Sequence, residues 1–208
     1  MLITINVIIF FVYWLPDFLG NSFGNFDYFI YTYGLVPINI LHGRNLVTIF
    51  TSMFLHADLI HLGGNMLFLY IFGDNVEDAF GHLRYTFFYF ISGIIASLAH
   101  IGSILFFQDT MGLGIVTIGA SGAVSGVLGA YLILYPRARI LTLVFYVWIS
   151  IVPIPAVVFL GLWFAYQFLY GMLAFAGGVA YWAHIGGFIA GILFGAIWRS
   201  KRRKVPYF

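Results

Sequence analysis

Residues Val179 to Trp198 read VAYWAHIGGFIAGILFGAIW, and the basic run Arg199, Lys201, Arg202, Arg203 and Lys204 follows almost at once. A helix needs about 20 mostly apolar residues to cross a hydrocarbon core of ~30 Å, so this stretch reads as a membrane span. Lys and Arg gather on the cytoplasmic side, which fixes its direction. Inside the span Gly187, Gly191 and Gly195 recur every four residues, and at 100° per residue His184 falls near the middle of their stripe. Such small-residue seams let helix backbones approach closely. The span therefore carries a packing face and, on it, one titratable side chain.

The whole chain has the same character. Of its 208 residues 62% are hydrophobic and 8% charged, against about a quarter charged in soluble domains. The length fits a single domain over residues 1–208, and the 24 Phe, 14 Tyr and 5 Trp suit a long membrane–water interface. The nine basic residues are too few, and too clearly placed by topology, to suggest a nucleic-acid partner. Without cysteine, disulfides, thiol catalysis and thiolate metal sites are excluded. The start, Met1-Leu2-Ile3-Thr4, lacks a basic region and a small-residue cleavage site, so it reads as a retained helix.

Charges, prolines and glycines divide the sequence into six expected spans: Leu2 to Leu19, Asp58 to Gly73, Tyr85 to Phe107, Thr117 to Tyr135, Pro153 to Tyr170 and Val179 to Trp198. Asp58 is a candidate N-cap for the second. With both termini inside, Arg84, Arg137, Arg139 and the basic tail all lie on the cytoplasmic face, and Arg44 alone lies outside. Gly20 to Arg44, rich in Phe23, Phe26, Tyr28, Phe29, Tyr31 and Tyr33, is expected as an interfacial first loop. Ile140 to Val152 is either the start of a Pro-interrupted fifth helix or a separate interfacial piece. The expected fold class is thus an all-α integral membrane protein, multi-pass, in a prokaryotic cell membrane.

Polar side chains at membrane depth are costly and point inward. Ser121 lies 15 residues before Pro136 and His184 lies 15 before Arg199, which puts both roughly 22 Å above the inner boundary. His61 stands 13 residues from Asp74, roughly 20 Å up, with Asn65 one turn deeper on the same face. In the fourth span Ser121, Gly122, Ser125, Gly126 and Gly129 make a second small-residue face. Three helices thus present Ser, His, His and Asn at nearly one level.

A serine hydroxyl becomes a nucleophile when a neighbouring base takes its proton, and neutral imidazole does this near neutral pH. No Asp or Glu falls at that depth, so the expectation is a Ser121–His184 dyad, with no partner identified to orient the imidazole. The oxyanion formed by attack on a peptide carbonyl requires preorganised donors. Candidates are the Ser121 backbone N–H at its helix start, His61 and Asn65.

Gly119-Ala120-Ser121-Gly122, His61-Leu62-Gly63-Gly64-Asn65 and Ala183-His184-Ile185-Gly186-Gly187 together resemble the rhomboid family of intramembrane serine proteases. The likeness extends over Gly34-Leu35-Val36-Pro37, Phe54-Leu55-His56, the segment Phe72 to Asp78 and Gly161-Leu162-Trp163-Phe164. The resemblance implies hydrolysis of peptide bonds in or next to a substrate's transmembrane segment, by Ser121 and His184, with an oxyanion hole from His61, Asn65 and the Ser121 N–H. It implies transmembrane protein substrates and a lipid bilayer as partners, and no metal or other cofactor. Gly119, Gly122, Gly187 and Gly191 are structural support, and Glu77 is similar to a family glutamate that braces the cytoplasmic helix ends. Substrate access beside the fifth span makes Trp163, Phe164 and Phe168 gate candidates. Some relatives carry a tyrosine four residues after the serine, packed on the histidine; here that position is Ser125.

Two rival classes remain. A small transporter would also line its path with polar residues but predicts internal repeats, and the two halves show none. A non-catalytic relative would bind membrane proteins without cutting them, and that reading expects the serine or the histidine to be lost. A membrane metalloprotease would need a His-Glu-x-x-His helix, which is absent.

Overall fold

The computed structural model of the chain describes residues 1–20, 26–145, 149–173 and 178–202. Phe23, Arg203 and Lys204, used above, lie outside the described residues. Ten α-helices, two short 3-10 turns, one π-helical turn and one hairpin appear among them. Helix α1 is Leu2–Phe18; α2 (Phe26–Tyr33), α3 (Pro37–Leu41) and α4 (Thr48–Thr51) fill the first loop. Helix α5 (Leu59–Phe68) continues through a π-helical turn, Leu69–Gly73, into α6 (Asp74–Phe80), and α7 is His82–Phe106. Helix α8 is Ser121–Leu134, strands β1 and β2 are Arg139–Phe145 and Ile149–Pro155, and α9 and α10 are Ala156–Met172 and Tyr181–Arg202.

Among the described residues two helices, α7 and α10, are long and apolar enough to cross a membrane. The pair Thr48–Phe54 and Leu59–Phe80, bent by 95°, is a third candidate, while α1, α8 and α9 are shorter apolar helices. All six expected spans thus coincide with apolar helices, and the structure supports two or three of them as crossings by length and composition.

Hydrogen bonds flank the bend on both sides. The Tyr13 hydroxyl of α1 accepts from the His56 backbone N–H and donates to the His56 carbonyl, both at 2.7 Å. Asp58 then caps α5 as expected, its Oδ1 accepting from the His61 N–H at 2.8 Å. The helix runs beyond the expected Gly73 as far as Phe80, where Gly81, at φ +80°, turns the chain into α7.

Helices α7, α8 and α10 form the tightest part of the fold, and the small-residue faces account for it. A Cβ added at Gly187 or Gly191 of α10 would collide with the carbonyl oxygens of Gly122 or Gly126 in α8. One at Gly122 would stand 2.6 Å from Cβ of Ala96 in α7. The backbones meet almost directly, so dispersion contacts hold the three helices where lipid offers no hydrophobic drive.

At the end of the bundle that carries Arg199, polar contacts tie helices together. The Trp198 indole N–H donates to the Ala79 carbonyl at 2.9 Å, and the Arg84 guanidinium lies 5.1 Å over the Trp198 ring. Arg199 donates to the Ile133 carbonyl at 3.0 Å. Glu77 Oε1 lies 2.7 Å from Nδ1 of the exposed His82 at the α6–α7 corner.

Two expectations need correction. The fourth helix begins at Ser121, four residues after the expected Thr117. Thr117 is instead bridged to Leu35 by two backbone hydrogen bonds of 3.0 and 2.7 Å, and Gly119 follows at φ +126°, outside helical geometry. The fold is also not purely helical. Ile140 to Val152 takes the separate-piece alternative, as an antiparallel hairpin, and the fifth helix starts at Ala156 rather than Pro153; residues 146–148 lie outside the described residues. Pro153 and Pro155 have no N–H for a helical ladder, and the β-branched Ile and Val around them favour a strand. The register pairs Leu143 with Ile151 on one hairpin face, where Leu141 and Ile149 are also exposed.

Candidate active site

Ser121 is the first residue of α8, and its position follows from the turn before it. Gly119 donates its N–H to the Ser52 carbonyl at 2.9 Å, and the extended stretch from Thr117 delivers the chain to the helix start. As the first helical residue, Ser121 has no carbonyl one turn earlier in its own helix to receive its N–H. The serine oxygen and N–H therefore both lie at the positive end of the α8 dipole.

Facing it, His184 sits in the first turn of α10. Its Nε2 lies 2.8 Å from Ser121 Oγ, a hydrogen bond across 63 residues of sequence. The close α8–α10 seam brings the two helix starts together, so the glycines and the polar pair belong to one arrangement.

His61, in the first turn of α5, approaches from a third side. A Cβ on Gly119 would stand 2.9 Å from His61 Nε2 and 3.6 Å from Ser121 Oγ. His61 Nδ1 accepts the Ala57 backbone N–H at 3.3 Å. A neutral ring then carries its proton on Nε2, the nitrogen nearest Gly119. Asn65, buried one turn on, donates from Nδ2 to the His61 carbonyl at 3.0 Å, which uses one of its two amide hydrogens.

Ser125 does not support the histidine ring; its hydroxyl donates to the Ser121 carbonyl at 2.6 Å. The support comes from α9. Gln167 Oε1 lies 2.8 Å from His184 Nδ1, and the Trp163 ring is tilted 34° to the imidazole with centroids 6.1 Å apart. Sequence reasoning that expects a carboxylate beside the imidazole does not reach Gln167, a neutral amide. The signal was present: Gln167 is the one amide, and there is no charged residue, in the α9 sequence AVVFLGLWFAYQFLYGM.

The gate candidates separate. Trp163 and Phe164 pack inward on Phe188 of α10, at 5.7 and 4.9 Å between centroids. Phe168 is exposed, with its ring 6.2 Å from Trp182.

Apolar helices carrying a serine–histidine contact between two helix starts define a class of membrane protein, and comparison with known sequences agrees. Residues 43–201 match the family profile described as Rhomboid domain, and the chain belongs to the rhomboid family, which includes serine proteases. It is 34% identical over 173 residues to "Rhomboid protein 1, mitochondrial" of Saccharomyces cerevisiae, covering 76% of this chain and 45% of that protein. Against "RHOMBOID-like protein 6, mitochondrial" of Arabidopsis thaliana it is 39% identical over 93 residues, 45% of this chain and 28% of the relative. "RHOMBOID-like protein 1" of the same plant shares 32% over 167 residues, 76% of this chain and 36% of the relative. The chain thus spans less than half the length of these relatives. They come from yeast and a plant, and two are named as mitochondrial, so the expected membrane location stands but its prokaryotic assignment has no support.

Proposed function

We propose that this chain is an intramembrane serine endopeptidase that hydrolyses peptide bonds in or next to transmembrane segments, with six spans and both termini cytoplasmic. The observation that carries the reading is the 2.8 Å contact between Ser121 Oγ and His184 Nε2. The reaction follows general acid–base logic. His184 Nε2 takes the Ser121 proton as Oγ attacks the scissile carbonyl, and a tetrahedral intermediate forms. The Ser121 N–H, the Nε2–H of His61 and the second amide hydrogen of Asn65 are the donors for its oxyanion. His184 then gives its proton to the leaving amine, and water, deprotonated by the same nitrogen, cleaves the acyl-enzyme and restores the serine.

Gly119, without a side chain, leaves open the space between His61 and Ser121, while Gly122, Gly187 and Gly191 hold α8 and α10 at the distance the hydrogen bond needs. In this reading Trp163, Phe164 and Phe168 border the access route from lipid.

The test is cleavage of a tagged single-span reporter, with small residues near its outer end, by the reconstituted chain and by Ser121→Ala. Product from the first and none from the second supports the reading, because loss of the nucleophile in such a pair costs several orders of magnitude in rate. Equal product from both overturns it.

A further inference from the structure

The described contacts run from Ser121 through His184 to Gln167, and the last of these carries a consequence for the other two. We infer that Gln167 is a positioning residue that fixes the tautomer of His184, so that the seating of α9 against α10 decides whether Ser121 faces a base. The inference rests on the proteolytic reading above and deepens it.

A neutral imidazole has one N–H and one lone pair for its two ring nitrogens. With Gln167 Oε1 turned to the ring, 2.8 Å from His184 Nδ1, the contact is a hydrogen bond when the proton sits on Nδ1, because an amide oxygen only accepts. The lone pair is then left on Nε2, 2.8 Å from Ser121 Oγ, where it accepts the serine proton. In the other tautomer Nε2–H would point at the serine oxygen, and two lone pairs would oppose each other at Nδ1. One hydrogen bond of ordinary strength is enough to shift that balance by about tenfold.

The surroundings of Gln167 favour a specific task over mere packing. Gln167 is 6% exposed on an otherwise apolar helix, and burial of an amide is unfavourable unless its polar atoms are bonded. Its neutrality also fits the location. A carboxylate could orient the ring in the same way but would have to be desolvated in apolar surroundings, at a larger cost.

Trp163, one turn before Gln167, lies against the same imidazole, so α9 holds the ring by two side chains at i and i+4. A displacement of α9 away from α10 by roughly 1 Å would carry the Gln167 bond beyond hydrogen-bonding distance. The helix that the proposed function places beside the access route is therefore also the helix that orients the base.

The test compares the native chain with Gln167→Met, which keeps length and volume without the acceptor, and Gln167→Glu, which keeps an acceptor. Chains labelled with 15N in histidine are studied in nanodiscs, with His184 assigned by difference from His184→Asn, and reporter kinetics are measured alongside. The native chain is expected to show the Nδ1–H tautomer, and Gln167→Met a ratio shifted about tenfold or more toward Nε2–H. In the kinetics kcat should fall about 10- to 100-fold in Gln167→Met with KM within about twofold, and Gln167→Glu should recover part of it. The same tautomer in native and Gln167→Met, or an unchanged kcat, overturns the inference. A tautomer shift in a chain that cuts no reporter leaves the positioning intact and counts against proteolysis. Native cleavage that depends on Ser121 but is indifferent to Gln167 does the reverse.

Discussion

Gly119 and His61 are matched by exclusion: a methyl group on Gly119 would lie 2.9 Å from His61 Nε2, closer than van der Waals contact allows. Gly119 also holds φ at +126°, which side-chain-bearing residues rarely adopt. Gly119→Ala is therefore expected to displace His61 and to strain the turn before Ser121, with the strain amounting to about 1–3 kcal/mol. Reporter cleavage should fall by on the order of 100-fold through loss of an oxyanion donor. Kinetics together with a thermal midpoint in detergent separate the two effects, and activity within threefold of native would contradict the placement.

Tyr13→Phe removes the hydroxyl that serves both backbone groups of buried His56. Each group left without a partner costs about 1–3 kcal/mol. The thermal midpoint should fall by several degrees, with activity reduced because His56 lies just before the cap of α5.

The glycines of the helix seams and those of the α5 face should respond in opposite directions. Gly191→Val drives a side chain into the Gly126 carbonyl of α8 and should destabilise by about 3 kcal/mol or more, with activity lost alongside the fold. A Cβ at Gly63 meets nothing within 4 Å. Gly63→Ala should stabilise by about 0.5–1 kcal/mol, since alanine loses less backbone freedom in a helix. Thermal unfolding of the two variants beside the native chain checks both signs.

What could be read in advance, and what could not, divides along physical lines. The α10 span, the Asp58 cap and the two small-residue faces depend on local composition and period, and each is visible in a short window of sequence. Counting rise per residue put Ser121, His184 and His61 at one depth, and the structure brings them together. The late start of α8 depends on the pairing of Thr117 with Leu35, more than 80 residues apart, which no local pattern records. The hairpin was hidden because a run such as Arg139 to Phe145 is short and apolar, and periodicity alone does not separate strand from helix there. Gln167 differs: it is polar at membrane depth like Ser121 and His184, but a neutral amide lacks the charge that marks a carboxylate as a histidine partner.

The central claim, that Ser121 is a nucleophile activated by His184, is tested most directly without any substrate. The native chain, Ser121→Ala and His184→Ala would be treated in nanodiscs with a fluorophosphonate, which reacts with activated serines, and the adduct located by peptide mass mapping. The account predicts an adduct on Ser121 in the native chain, none in Ser121→Ala, and a labelling rate lower by several orders of magnitude in His184→Ala. An adduct on a different serine, or equal labelling of Ser121 when His184 is removed, would contradict it.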